Sequence, residues 1–264
     1  MGAFAGFAGS TIYDSALAGL FVAVVVGAIL GVIFAYFVVT LKSNQIVIGV
    51  AFNITSLGLT AFLYRTFFTD PTNPILLVKS FKNIEIPFLS DIPIIGEIFF
   101  NFNPMVYLAF LLIPVIWILL YKTSAGIALI STGENPAAVD SLGINVFKVR
   151  YFAVIFGAIM ASVGGSFLSI AHSNNFVEGI SAGRGYIAIA VVILGRWNPW
   201  GVLAGALIFG GANVFQLLIQ TSESKIPYDL VLMIPYLLTI VAVIVASKRR
   251  DSRPSALGVA YEKS

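Results

Sequence analysis

Cysteine is absent from this 264-residue chain, and histidine occurs once, at His172. No disulfide, thiolate metal site or cysteine nucleophile can be built, and one imidazole cannot supply a paired-histidine zinc site. Charge is the second scarcity: Asp, Glu, Lys and Arg make up 10% of the residues against 59% hydrophobic, where a water-soluble domain carries about 25% charge. Such a chain cannot cover itself with a water-wettable surface, so lipid is its solvent. The net charge of +3 does not point to nucleic acid, because the basic residues are scattered over connections and form no stripe. Phosphate-binding loops and zinc-binding His pairs are missing too, and His172 is the sole candidate base for Ser162 or Ser166. Those serines, four residues apart beside glycines, read as helix-packing positions, and His172 reads as an interfacial side chain. The chain is expected to catalyse nothing. At the N-terminus no basic segment leads into a short apolar core and a small-residue cleavage site, so the helices themselves are expected to direct insertion.

Long apolar runs are what the sequence has instead. A spanning helix needs about 20 apolar residues, and Ala16–Thr40, Ile46–Phe67, Pro104–Tyr121, Tyr151–His172, Trp200–Gln220 and Tyr228–Ser247 supply them. Met1–Ile12 and Tyr186–Gly195 are apolar but fall short of a ~30 Å core at about 1.5 Å per residue. The fold class is therefore an all-α polytopic transmembrane bundle of about eight segments, the first incomplete, forming one domain over 1–264. Counting both short pieces as crossings puts Lys42, Lys122, Lys148, Arg150, Arg196, Lys248, Arg249, Arg250, Arg253 and Lys263 on one side with four acids; the other side holds five bases and eight acids. The positive-inside rule makes the first side cytoplasmic, the C-terminus with it. A Tyr186–Gly195 loop that entered and left by one face would export the Lys248-Arg249-Arg250 cluster. That segment is instead expected to continue through irregular backbone sheltered by protein. Trp197 and Trp200 sit at span ends, as amphipathic rings at head-group depth should. Gly27/Gly31, Gly201/Gly205 and the series Gly157, Ala161, Gly165 recur every four residues, a spacing that lets helix backbones approach closely.

An external loop over 68–103 carries Pro71, Pro74, Pro87 and Pro93 and an apolar run, Ile92 to Phe100. It reads either as an interfacial packing segment or as a docking point for an extracytoplasmic partner. No carboxylate or cation lies at the centre of a span, so a proton-coupled carrier would have nothing to protonate there; sodium held by backbone carbonyls stays open. The polar groups at membrane depth are neutral: Asn53 and Ser56 in one helix, Asn213 and Gln216 in another, each pair three residues apart and so on one face. Polar groups are costly against lipid. These either line a passage for a neutral hydroxylated or heterocyclic solute or hydrogen-bond between helices.

The sharpest local signal lies within the cytoplasmic segment 122–150. Around 131–144, Asn135 can cap a short helix, Pro136 fits its first turn, and Gly143 can end it in the left-handed conformation. A helix so short is unstable alone in water, so neighbours or a partner must hold it. Gly133, Glu134, Asn135, Pro136, Ala137, Ala138, Asp140, Ser141, Leu142, Gly143 and Ile144 form the expected docking set.

At this segment the sequence resembles the membrane permease subunits of ATP-binding-cassette (ABC) importers, in the branch of branched-chain amino-acid and simple-sugar permeases. There the pattern Gly-Glu-Asn-Pro-x-Ala, followed by Gly-Ile and a basic residue entering the next helix, forms a coupling helix seated in the ATPase subunit. Here it corresponds to Gly133 through Arg150. Ser43-Asn44-Gln45-Ile46-Val47, Gly58 through Arg65, Ala182-Gly183-Arg184-Gly185-Tyr186-Ile187-Ala188, Gly195-Arg196-Trp197-Asn198-Pro199 and Ala256-Leu257-Gly258 with Tyr261 are similar to the nucleoside-type subgroup. The resemblance implies a cell-membrane importer subunit for nucleosides; simple sugars or branched-chain amino acids are the alternative substrates, and an ion-coupled secondary transporter is the alternative class. It implies a second, homologous permease in a heterodimer, an ABC ATPase that holds the ATP, and a substrate-binding lipoprotein outside, with no cofactor on this chain. It also places roughly another helix and a half ahead of Met1, in keeping with an incomplete first span.

Overall fold

The computed structural model describes residues 1–68, 78–85, 101–221, 230–231, 233–247 and 253–262. Helices α1 (Gly2–Ile12), α2 (Ala16–Ala35), α3 (Gln45–Phe67), α4 (Pro104–Lys122), α5 (Ser124–Glu134), α6 (Pro136–Ser141), α7 (Val146–Phe167), α8 (Arg184–Leu194), α9 (Pro199–Thr221) and α10 (Ile234–Ser247) follow one another. π-helical turns over Tyr36–Thr40 and Leu168–His172 extend α2 and α7. Five helices are long and apolar enough to cross a membrane among the described residues: Ala16–Thr40, Gln45–Phe67, Pro104–Lys122, Val146–His172 and Pro199–Thr221. Their limits match five of the six expected spans to within a few residues. The sixth ends at Ser247 as expected, while part of its start lies outside the described residues. The two short apolar pieces are helices of 11 residues each. In the external loop the run Ile92 to Phe100 lies outside the described residues; flanking it, Ile84–Glu85 (β1) and Asn101–Phe102 (β2) pair antiparallel.

The chain divides into two compact units, 1–111 with 128–182 and 258–264, and 112–127 with 183–257. In the first, α2 and α7 run antiparallel at backbone contact. A Cβ at Gly27 would stand 2.6 Å from the Ser162 Cβ, and one at Gly31 would stand 2.9 Å from Ala158 and Ile155 atoms. Small residues permit this approach, and the Ser162 hydroxyl then donates to the Ala23 carbonyl at 2.6 Å, a bond worth about 0.6–1 kcal/mol between helices in lipid. Helix α1 wedges against both: Ser169 donates to the Ala3 carbonyl at 2.7 Å, and Gly165 leaves room for the α1 backbone. Gly157 corrects the expected packing series. A Cβ there meets nothing within 4 Å, whereas one at Gly165 would meet the α1 backbone at Ala3.

The two ends of this unit are chemically distinct. At one, Phe7 is fully buried among Phe4, Tyr64, Phe68 and Phe176, with ring centroids 5.2–5.8 Å from Phe68, Tyr64 and Phe176. Arg65 donates twice to Glu178 at 2.6 and 2.7 Å, and Lys79 pairs with Asp14. Segments that charge counting assigns to one side of the membrane thus meet at one end. At the other end Thr40 bonds Tyr151, and Lys42 reaches Glu262 at 2.9 Å.

In the second unit, Gly195 and Gly201 touch so closely that a Cβ on Gly201 would lie 2.2 Å from the Gly195 carbonyl oxygen. Gly205 lies against Val191, and Val191 and Phe209 form the buried centre with Ile187, Leu194, Val202 and Leu238 packed around them. Of the expected pair, Gly205 approaches α8 at Val191, while Gly201 closes on Gly195 in the turn that follows α8.

Candidate functional site

Helix α6 is built as its sequence dictates. The Asn135 side-chain carbonyl accepts from the Ala138 amide at 3.1 Å, and Pro136, which has no amide hydrogen to satisfy, takes the first turn. Ser141 donates to the Ala138 carbonyl at 2.8 Å. Gly143 adopts φ +81°, a conformation costly for residues with a Cβ, while the amides of Gly143 and Ile144 turn back to Asp140 and Val139 at 2.9 and 3.3 Å. Asn145 then caps α7 by accepting from the Lys148 amide at 3.0 Å. These two caps, at Asn135 and Asn145, fix how α6 leaves α5 and enters α7.

The helix has an outer and an inner face. Glu134, Asn135, Ala137, Ala138, Ser141, Leu142, Gly143 and Ile144 are exposed, Leu142 at 78%, and Gly133, Pro136 and Asp140 are half-buried. Val139, outside the expected docking set, turns inward to 3% exposure. It packs with Val146 and with Tyr261 of the C-terminal tail, Phe147 lying alongside. Burial first, then a hydrogen bond to the Asp140 carboxylate, pushes the Tyr261 phenol above its ordinary range. The Arg150 guanidinium donates to the Val259 carbonyl at 2.8 Å and stands 6.0 Å from the Tyr261 ring. The Lys42 ammonium holds the Glu262 carboxyl below the usual carboxylate range. The tail signal in the sequence was its Ala-Leu-Gly…Tyr pattern; nothing local tells what that tyrosine touches.

The membrane-depth polar residues lie on α3 and α9. Asn53 and Asn213 are exposed and Ser56 and Gln216 half-buried, Ser56 also accepting from Thr60 through its carbonyl at 2.7 Å. Asn53 and Ser56 belong to the first unit, Asn213 and Gln216 to the second. Among the described residues no group of His, Cys, Asp and Glu could hold a metal ion.

A family model described as branched-chain amino acid transport system / permease component matches residues 1–243. A protein of Haloferax volcanii provisionally named a glucose ABC transporter permease is 35% identical over 84% of this chain and 67% of its own length. A guanosine ABC transporter permease of Bacillus subtilis is 34% identical over 92% and 77%. A nucleoside ABC transporter permease of Lactococcus lactis is 33% identical over 97% and 84%. Each of the last two organisms has a second, more distant match bearing the same substrate name, 23% and 24% identical. No solved structure matches the chain.

Proposed function

This chain belongs to the branched-chain amino acid transport system permease family, as a multi-pass ABC transporter permease subunit and not an enzyme, and from that premise we propose that it serves nucleoside import across the cell membrane. The observation that carries the coupling half of this reading is α6. Its caps shape it, its inner face is occupied, and Ala137, Ala138, Leu142 and Ile144 stand exposed on a segment too short to stand alone. An ATPase subunit seated on that outer face would hold the nucleotide, and this side with the C-terminus would be cytoplasmic, in line with its excess of Lys and Arg.

Pairs of same-named permeases in two organisms support a second, homologous permease beside this one. A substrate-binding lipoprotein would deliver solute from outside. Exposed amides at Asn53 and Asn213 cannot be left against lipid without cost; with Ser56 and Gln216 they would face the passage and meet a neutral, hydrogen-bonding solute. ATP binding and solute delivery would each favour a different opening of the passage, which is what couples them.

Tritiated guanosine and uridine uptake in cells lacking the gene tests the substrate class: uptake should fall and return with the gene restored. The Haloferax relative makes glucose the competing substrate. Unchanged nucleoside uptake with glucose uptake lost would move the chain to sugars, and gradient-driven uptake by the reconstituted chain without any ATPase would overturn the transporter class.

A further inference from the structure

We propose that the C-terminal tail from Gly258 to Glu262 is a strap that fixes α6 to the bundle, with Tyr261 as the positioning residue that makes ATPase motion reach the membrane helices. The inference rests on the coupling role of α6 just proposed and adds a part that neither the family match nor the names of the relatives assign.

Helix α6 has six residues, and a lever that short transmits force only as well as it is anchored. Its own apolar grip is one side chain, Val139, against Val146 at the start of α7. The tail closes the third side of that contact. The Tyr261 ring, 8% exposed, lies 5.8 Å from the Phe147 ring, and its hydroxyl donates to Asp140 on α6 itself. One side chain therefore touches both the lever and the helix it must move.

The strap is held at both ends by independent contacts. Arg150 on α7 grips the Val259 carbonyl, and Lys42, between α2 and α3, grips Glu262. Gly258 turns at φ +79° where a Cβ would come within 2.8 Å of the Gln45 amide nitrogen, so the tail enters against the start of α3. The strap occupies the inner side of α6 and leaves Ala138 and Leu142 exposed. Its loss should loosen transmission without removing the docking surface.

The test uses the whole transporter purified through its ATPase, reconstituted in proteoliposomes, with tritiated guanosine as probe. Tyr261→Ala should retain ATPase at wild-type stoichiometry while guanosine carried per ATP hydrolysed falls about tenfold, equivalent to ~1.4 kcal/mol. Tyr261→Phe keeps the ring and should lose about threefold, the hydroxyl's share. Asp140→Ala, which removes the acceptor, should lose as much, and its combination with Tyr261→Phe no more than either, because both remove the same hydrogen bond. A wild-type ratio in Tyr261→Ala overturns the strap, as does ATPase lost in step with transport, which marks a docking or folding role. If Tyr261→Ala is not recovered from membranes, Tyr261→Phe and Asp140→Ala decide: equal non-additive losses support the strap, and wild-type ratios or additive losses overturn it. A wild-type complex with no ATP-driven guanosine uptake would overturn the underlying reading and the strap with it; a wild-type complex that transports, with unchanged variants, overturns the strap alone.

Discussion

Gly27 has room for no side chain. A Cβ there would stand 2.6 Å from the Ser162 Cβ and 3.0 Å from the Ala158 carbonyl oxygen, and the obstacles are a rigid short side chain and backbone. Gly27→Ala must therefore push α2 off α7 and lengthen the hydrogen bond from Ser162 to Ala23, at a cost of about 1–3 kcal/mol. Gly58→Ala makes the opposite case: its Cβ would meet nothing within 4 Å, and the gain in helix propensity is worth up to ~1 kcal/mol. Thermal melting of the detergent-solubilised chain should show a clear drop for the first and none for the second; equal melting points would refute the close α2–α7 contact. The four-residue spacing of small residues was readable in the sequence for Gly27 and equally for Gly157. Of these two, Gly27 is used between α2 and α7 and Gly157 is not, because spacing says that a backbone can approach and not which one does.

Helix α6 shows the same division one scale up. Its caps were legible because capping is local chemistry: Asn135 reaches an amide three residues on, and Gly143 needs only its own backbone freedom. The strap was not, since Arg150 and Val259 are 109 positions apart in the chain and no periodicity links them. Exposure sorts the expected docking set. Ala138 and Leu142 face outward while Val139 anchors. Ala138→Asp should abolish co-purification of the ATPase and leave the bundle's melting within about 0.5 kcal/mol, as exposed substitutions do. Gly143→Val should also weaken ATPase retention, because a β-branched residue in the left-handed region costs ~1–2 kcal/mol and misdirects the turn into α7. Val139→Asp is the contrast, expected to lower the melting temperature itself by burying a carboxylate. ATPase retained at normal yield on both Ala138→Asp and Gly143→Val would remove α6 from the coupling interface.

At the scale of the molecule, charge counting and packing answer the same question separately. The loop bearing Asn174 and Glu178 meets Val78 and Arg65 at one end of the first unit, and the Lys42, Arg150 and Glu262 contacts gather at the other. These are the groupings that the charge count over eight crossings expects, so which connections share an end was legible from the sequence without knowing which helices touch. What each end is for was not: the aromatic cluster around Phe7 draws on four separate segments, which no local pattern announces. The absence of cysteine makes the orientation directly testable, because any introduced thiol is the sole target. Val177→Cys and Val259→Cys place thiols at exposed positions on opposite ends of the unit. A membrane-impermeant maleimide applied to intact cells should label the first and spare the second until the membrane is permeabilised. Labelling of Val259→Cys in intact cells would put α6 and its strap outside, where no ATP is available, and an ATPase could then not be the motor.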